Sequence, residues 1–526
     1  MTAATQPPRS YDVIGFGDEV PGVLALVSAA REYRRRTGKA LRTLLMFKGN
    51  SQEGVGGHLV RGGLAYLDRS TIPADIRQAY QLPTFGEPAA IYQEFLQRSG
   101  VTQIGLDPRK ADAALRAMLS EVGADIISRV QIQSVLKDGA TLTGIHLANG
   151  NIFLGKQFID SSVNAELAQA AGVPKFQGFG TFGLPDSELP VTLAFESQGL
   201  SLQRLKEVEL NYLKRFTNPY DTEAQRYIAI AAGADPALIN QIRRSLADEQ
   251  GRLRTMYVGQ DHADVRSQAL SVTYHAFRGK KMFLPESGVL LDHANIAILP
   301  GGRLSWNALM FYVSGAQSEA LARGAAKPTP AMLEEMSFVT KWLKSFGATV
   351  VKPASELYIR HAGNIQGAVE PLSGAQMLFG GVPSASAIGT FGYYLDVRGG
   401  ITGLGNKATA KGMSSISFHH PPLFNIGIRH ALLRAVPNLA VVSPASGFDG
   451  YACSAGRIVE FNTAVGHGLG IAAAIALTSN RTLASITNGE VRQVLATTGK
   501  LPRIYGQSYA LEATRLQDFE SLMMIA

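Results

Sequence analysis

A single cysteine, Cys453, is all that the 526 residues contain. That excludes an internal disulfide framework and fits a reducing compartment. Long hydrophobic runs are missing as well. The longest, Leu469 to Leu477, falls far short of the roughly 20 apolar residues that cross a bilayer. Met1 to Ser10 lacks the apolar core of a secretory leader, so a cytoplasmic protein without a membrane partner is expected. Dense basic clusters are scarce although the formal net charge is +8, and the one exception is Arg34-Arg35-Arg36. It precedes Thr37-Gly38, where a helix should end, and complements the negative pole of that helix. A nucleic-acid partner is therefore not expected, while a basic surface favours small anionic substrates. Metal-ligand spacing is lacking too. His419 and His420 point to different sides of an extended segment and no second pair joins them, so no metal is expected.

What is present begins at Tyr11-Asp12-Val13-Ile14-Gly15-Phe16-Gly17-Asp18-Glu19-Val20-Pro21-Gly22, which runs into the apolar Val23-Leu24-Ala25-Leu26-Val27. A strand, a glycine turn and a helix in that order open a dinucleotide-binding βαβ unit, whose turn and helix N-terminus face a pyrophosphate. Two registers are possible, one starting at Gly15 and one at Gly17. The second gives Gly17-x-Glu19-x-x-Gly22, an ordinary strand from about Tyr11 to Phe16, and a glycine in the first helical turn for close helix–strand packing. It also puts the carboxylate of Glu19 where bare backbone should approach a phosphate. The second strand, Leu41 to Phe47, ends Met46-Phe47-Lys48 without the acid that holds a ribose hydroxyl in this fold.

The glycine content, 55 residues, and a hydrophobic share of 46% suit a packed α/β enzyme. At this length roughly two or three domains are expected. The glycine-dense loop Gly54 to Leu64 would let backbone approach a ligand closely. Helices are expected near Pro88–Ser99 and Pro108–Val122, then strands at Ile126–Lys137, Leu142–Leu147 and Ile152–Leu154, a β-meander returning to a core strand at Gln157–Ile159. Further on, strands are expected at Val191–Glu196 and Ser271–Phe277 and helices at Gln203–Arg215, Pro236–Met256 and Pro330–Phe346. A hairpin should join Val289–Ile298 to Arg303–Tyr312 through Leu299-Pro300-Gly301-Gly302.

These segments resemble the FAD-dependent oxidoreductases of the glutathione-reductase-like flavoprotein class. Gly56-Gly57-His58-Leu59 with Gly62-Gly63-Leu64 looks like the loop that runs beside the flavin in that family. Phe158-Ile159-Asp160-Ser161-Ser162-Val163-Asn164-Ala165-Glu166-Leu167-Ala168 is similar to its "IDATGDADLA" segment, with Val163 in place of a glycine and Asn164 and Glu166 in place of aspartates. Leu357–Arg360 and Gly392–Arg398 look like substrate-side strands, and Val436–Pro444 like the segment holding the last core strand. Arg457 resembles the final flavin-contacting arginine, and Gly466–Ala474 the glycine–alanine helix behind it. Gly466 and Gly470 lie one turn apart on one side, where another backbone can come close.

The resemblance implies a Rossmann-type FAD/NAD(P)-binding domain, discontinuous over 10–180 and 401–480. An inserted α+β substrate domain would occupy 181–400 and a helical tail 481–526. It implies FAD as cofactor and hydride transfer between a small organic substrate and flavin N5. The cofactor-binding candidates are Gly17, Glu19, Gly22, Lys48, Gly56, Gly57, His58, Arg457, Gly466 and Gly470. Covalent attachment could run through His58 or Cys453. The densest set of groups able to hold an anion or move a proton is His419, His420, Arg429 and His430, which are the catalytic candidates. Trp306, Trp342, Tyr274 and His275 read as core first and pocket lining second. Two other readings stand beside the main one. One is an NAD(P)-dependent dehydrogenase with Lys48 on a 2′-phosphate. The other is a flavoprotein fold with weakened cofactor binding that serves as a binding or assembly protein.

Overall fold

The computed structural model describes residues 7–414 and 416–524. The leaderless reading of Met1 to Ser10 rests mostly on residues outside that range, as do the last two residues of the tail. At the centre is a five-stranded, all-parallel sheet in the order Leu439–Val441, Gln157–Asp160, Val13–Phe16, Thr43–Phe47, Asp125–Ser128. The first four strands in that order are buried along their whole length because both faces are covered, while the edge strand Asp125–Ser128 is only partly buried. Helices Val20–Thr37 and Val459–Ser479 cover one face. A four-stranded sheet of Arg9–Ser10, Ile152–Leu154, Thr141–Leu147 and Ile132–Asp138 packs on the other side.

The first helix ends as its sequence predicts. Gly38 takes a left-handed φ of 71° and its N–H returns to the Arg34 carbonyl, with Arg34, Arg35 and Arg36 in the last turn. Helix Val459–Ser479 is long and apolar enough to cross a membrane, yet 89% of its apolar window is buried in the protein, as in a core helix. It lies so close to the first helix that a Cβ on Gly466 would collide with the Pro21 carbonyl, and one on Gly470 with the Ala25 carbonyl. Ser28 Oγ donates to the His467 carbonyl at 2.9 Å across the same seam.

The inserted sheet has seven strands, with the hairpin Val289–Leu299/Arg303–Phe311 at its middle. Trp306 stacks on Phe195 inside it, and Trp342 packs edge-on to Tyr274, so these aromatics belong to the core.

Several expected elements differ. Ser271–Phe277 lies in a helix, Ala269–Arg278, and is not a strand. Its alternating polar residues are all buried, so the alternation did not mark an inside and an outside. Thr273 Oγ1 donates to the Leu270 carbonyl at 2.7 Å, and His275 Nε2 accepts from Leu291 N at 3.2 Å. The helix from Pro236 stops at Leu246, because Asp248 folds the chain back through Arg252. Left-handed Arg129 (φ 57°) divides Ile126–Lys137 into two strands. Neither expected substrate-side strand forms: Gly392 ends a short strand, Thr390–Gly392, beyond which Tyr393–Arg398 is irregular, and Tyr358 makes a single bridge to Thr192.

Candidate functional site

Ligands of open α/β sheets bind outside the carboxyl ends of the strands, where the strand order reverses. Here that point is the end of Val13–Phe16, flanked by Gln157–Asp160 and Thr43–Phe47. Gly17 turns the chain at φ 92°, with the Ser161–Ser162 backbone pressed against it. Gly22 sits in the first helical turn over Ser161 and leaves no room for a Cβ. The Gly17-x-Glu19-x-x-Gly22 register therefore describes the local structure.

The next residues turn inward. Asp18 accepts from Gly56 N at 2.9 Å and Gly57 N at 3.2 Å, and Arg61 binds it with two bonds of 2.5 and 2.8 Å. Arg61 also reaches Glu356 (Nε to Oε1, 2.8 Å) and the Gly54 carbonyl at 2.7 Å. Burial works to raise the pKa of Asp18, but the Arg61 charge and its hydrogen bonds outweigh it and hold the carboxyl below its ordinary value. Glu356 is raised, with burial ahead of the opposing pull of Arg61.

Glu19, 7% exposed, lies beside this triad. It accepts from His58 N at 3.1 Å, its other oxygen touches His58 Nδ1, and a Cβ on Gly57 would collide with its carboxylate. Lys48 bonds both Glu166 (2.7 Å) and the Arg323 carbonyl (2.7 Å), which ties the inserted segment across the strand ends. Asn164 and Lys175 converge on Glu319 in that same segment, at 3.0 and 2.8 Å. The space left among Gly17, Glu19, Lys48, Val163, Asn164 and Ala325 is about 70 Å³. Across the glycine loop a roomier groove of about 560 Å³ runs past Arg61, Arg109, Glu196 and Lys352.

A second polar centre lies where the glycine loop, the insert and the start of helix Val459–Ser479 meet. Arg457, 4% exposed, stands 3.5 Å from the Tyr358 hydroxyl, 3.5 Å from Asp396 and 3.9 Å from Asp68, and its Nε has no partner. Burial opposes its charge, but Tyr393, Tyr358, Asp68 and Asp396 outweigh burial and keep it protonated. Arg360 lies over the Tyr358 ring and bonds the Pro190 carbonyl and Thr192 Oγ1, with no carboxylate partner among the described residues, and burial pulls it down to about 10. Arg398 bridges Asp292 and Asp396. His58 stacks on Tyr358, joining the two centres.

Gly17, Glu19, Gly22, Lys48, Gly56, Gly57 and His58 thus gather at the strand ends, with Arg457 beyond the His58–Tyr358 stack. Gly466 and Gly470 serve the helix–helix seam. The catalytic candidates do not assemble. His419 and His420 are exposed near the C-terminal helix, where His420 pairs with Glu512 at 2.8 Å and stacks on Tyr509. Arg429 pairs with Glu370 at 2.7 Å, and His430 is buried between Phe448 and Phe461, which pushes its pKa down to about 3. Cys453 is buried, with its thiol pushed up to about 12 by burial first and by Glu188 second. Tyr358, Tyr393, Asp68 and Asp396 escaped notice as site residues. Leu357–Arg360 and Gly392–Arg398 marked their neighbourhood, but nothing in the sequence said that these stretches converge on Arg457.

The parallel sheet, the glycine turn at the end of its central strand and the buried arginine centre define a Rossmann-type flavoprotein fold. The chain belongs to the FAD dependent oxidoreductase family, whose model matches residues 12–495. It is accordingly an FAD-dependent oxidoreductase, with FAD as the cofactor of its class. A comparison with curated proteins finds no match. Among solved structures, the chain is similar to L-proline dehydrogenase from P. horikoshii (TM-score 0.34, 11% identity, 94% of this chain and 100% of that one). It is also similar to a geranylgeranyl bacteriochlorophyll reductase-like protein from Thermoplasma acidophilum (TM-score 0.36, 11% identity, 99% and 89%). A third is NikD, an amino acid oxidase of nikkomycin biosynthesis (TM-score 0.35, 10% identity, 86% and 94%).

FAD fits the two centres unequally. Arg457 Nε and His58 Nε2 are buried without partners, as groups awaiting a ligand would be. The crevice at the strand ends, by contrast, does not accept the ADP half in this conformation. Its volume of about 70 Å³ is well below the roughly 300–1,000 Å³ of ligand pockets, and the loop's backbone donors are already taken, Gly56 N and Gly57 N by Asp18 and His58 N by Glu19.

Proposed function

We propose that the chain is a glutathione-reductase-like flavoprotein that oxidises or reduces a small organic anion. FAD, when bound, supplies hydride exchange at flavin N5. Residues 10–180 with 401–480 serve the cofactor in this reading, 181–400 the substrate, and a reducing, cytoplasmic setting suits the lone buried thiol. The observation that carries it is Arg457, a buried guanidinium whose nearest acidic oxygens are 3.5 and 3.9 Å away. Those distances exceed the roughly 2.7–2.9 Å of a good charge-assisted hydrogen bond. Donors therefore remain free for a carboxylate or carbonyl oxygen. Tyr358 and Tyr393 give that oxygen's neighbour an aromatic wall, and Arg360, free of a carboxylate partner, adds positive charge behind it.

The visible spectrum of the purified chain, before and after FAD is added, tests the proposal. Paired flavin bands that bleach on anaerobic addition of a small carboxylate, and not of its neutral isostere, are expected. A chain that is colourless as purified and leaves the spectrum of added FAD unperturbed even at excess protein refutes it. In that case the reading of a fold with weakened cofactor binding takes its place, a reading favoured by the position of Glu19.

A further inference from the structure

Two adjacent carboxylates reach into the glycine loop, and they are held in different ways. Asp18 is locked. Arg61 grips both its oxygens and is itself fixed by Glu356 and the Gly54 carbonyl, so Asp18 is an integral brace of the loop. Glu19 has no arginine or lysine partner among the described residues. Its partners are the His58 backbone N–H and the His58 ring. It is nonetheless buried, and it sits where the fingerprint needs a residue without a side chain so that the backbone can approach a pyrophosphate. Gly57, at φ 51°, makes room for this carboxylate, since any side chain there would collide with it.

A strained segment covers the crevice, where Ala325 and Ala326 both hold left-handed φ values, 57° and 55°, a region that residues with a Cβ rarely adopt. Ala325 and Ala326 line the small cavity beside Glu19, and Lys48 secures the segment through the Arg323 carbonyl.

We propose that the Glu19 carboxylate is an internal stand-in for a cofactor phosphate. It occupies the His58 backbone donor and fills the space beside Gly57 in the free chain, and it must swing out before the ADP half of a dinucleotide can enter. This inference rests on the flavin reading above. It predicts that the chain as it stands binds FAD weakly, because only the fraction with Glu19 displaced is competent, and affinity scales with that fraction.

The test is calorimetric titration of the full-length wild type, Glu19→Ala and Glu19→Gln with FAD, ADP and riboflavin, with thermal melts confirming that each variant is folded. Glu19→Ala is expected to bind FAD and ADP at least about tenfold more tightly than wild type. Glu19→Gln should gain less, because its amide oxygen still accepts from His58 N. Riboflavin, which has no phosphate, should show no gain. Equal FAD affinity in wild type and both variants would overturn the stand-in while leaving the flavin reading intact. A riboflavin gain matching that of FAD would also overturn it, because the effect would then not lie at a phosphate. Failure of every protein to bind FAD or ADP would overturn both the stand-in and the flavin reading.

Discussion

His58 and Tyr358 stack with ring centroids 4.9 Å apart and planes within 24° of parallel, so one contact links the glycine loop to the arginine centre. Such pairs contribute about 0.5–1.5 kcal/mol beyond the area they bury. Tyr358→Leu should lower the urea unfolding free energy by about that amount or more, whereas Tyr358→Phe, which keeps the stack, should cost well under 1 kcal/mol. Equal losses in the two variants would mean that the hydroxyl beside Arg457, not the ring, carries the stability.

Arg457→Gln removes the buried cation and keeps a donor. For any small carboxylate that binds the wild type, affinity should fall about 10- to 100-fold, while a neutral amide isostere should lose little. Parallel calorimetric titrations of the two ligands check this. A uniform loss for both would show that the arginine only shapes the pocket.

Acid sensitivity should trace to buried neutral histidines. Burial depresses His430 and His467 to about 3, and His275 to about 4 with burial again the leading cause. The unfolded chain, titrating near the ordinary value of 6.5, binds the extra protons. The stability these residues contribute is therefore complete above about pH 6.5 and lost as pH falls toward 3, at up to ~1.4 kcal/mol per pH unit for each group. His430→Phe fills the same slot between Phe448 and Phe461 and should make the slope between pH 6 and about pH 4 shallower by up to that amount. Denaturant melts over this range measure it, and an unchanged slope would exclude His430 as a contributor.

Glycines on the last helices should respond in opposite ways. Gly466→Ala or Gly470→Ala drives a methyl into the backbone of the first helix and should destabilise by about 1–3 kcal/mol or more. Gly489→Ala, on helix Asn488–Thr497 with its nearest neighbour 3.9 Å away, should stabilise by about 0.4–1 kcal/mol. Thermal melts of the three variants give the comparison.

The opening motif was legible because its turn is local. Gly17 and Gly22 act within a few residues of one another, and of the two registers that the spacing allows, an ordinary strand length favoured the one that forms. What Glu19 does was not legible, since its partner His58 lies on another loop and only the closed fold brings them together. The arginine centre was half visible. Arg457 and the two stretches carrying Tyr358 and Tyr393 stood out, but convergence is a tertiary fact. The cluster His419, His420, Arg429 and His430 misled for the same reason. Proximity along the chain placed two of them on the surface and buried a third among phenylalanines. Ser271–Phe277 shows the limit of periodicity, since the helix is buried on every side from Ala269 to His275 and its polar residues there mark no outer face.

The seam between the helices Val20–Thr37 and Val459–Ser479 has a consequence for how the molecule is made. Ser28 and His467 are 439 residues apart in sequence, and the strand Leu439–Val441 completes a sheet begun at Val13. The central sheet and its helical cover therefore cannot close until nearly the whole chain has left the ribosome. Contacts of such long range are slow to form, because the loop between them must be ordered first. The inserted antiparallel sheet, whose strands all lie between Val191 and Pro353, can fold earlier on its own contacts. Assembly should then run from the middle outward, with the parallel sheet and its helical cover the last part to become native.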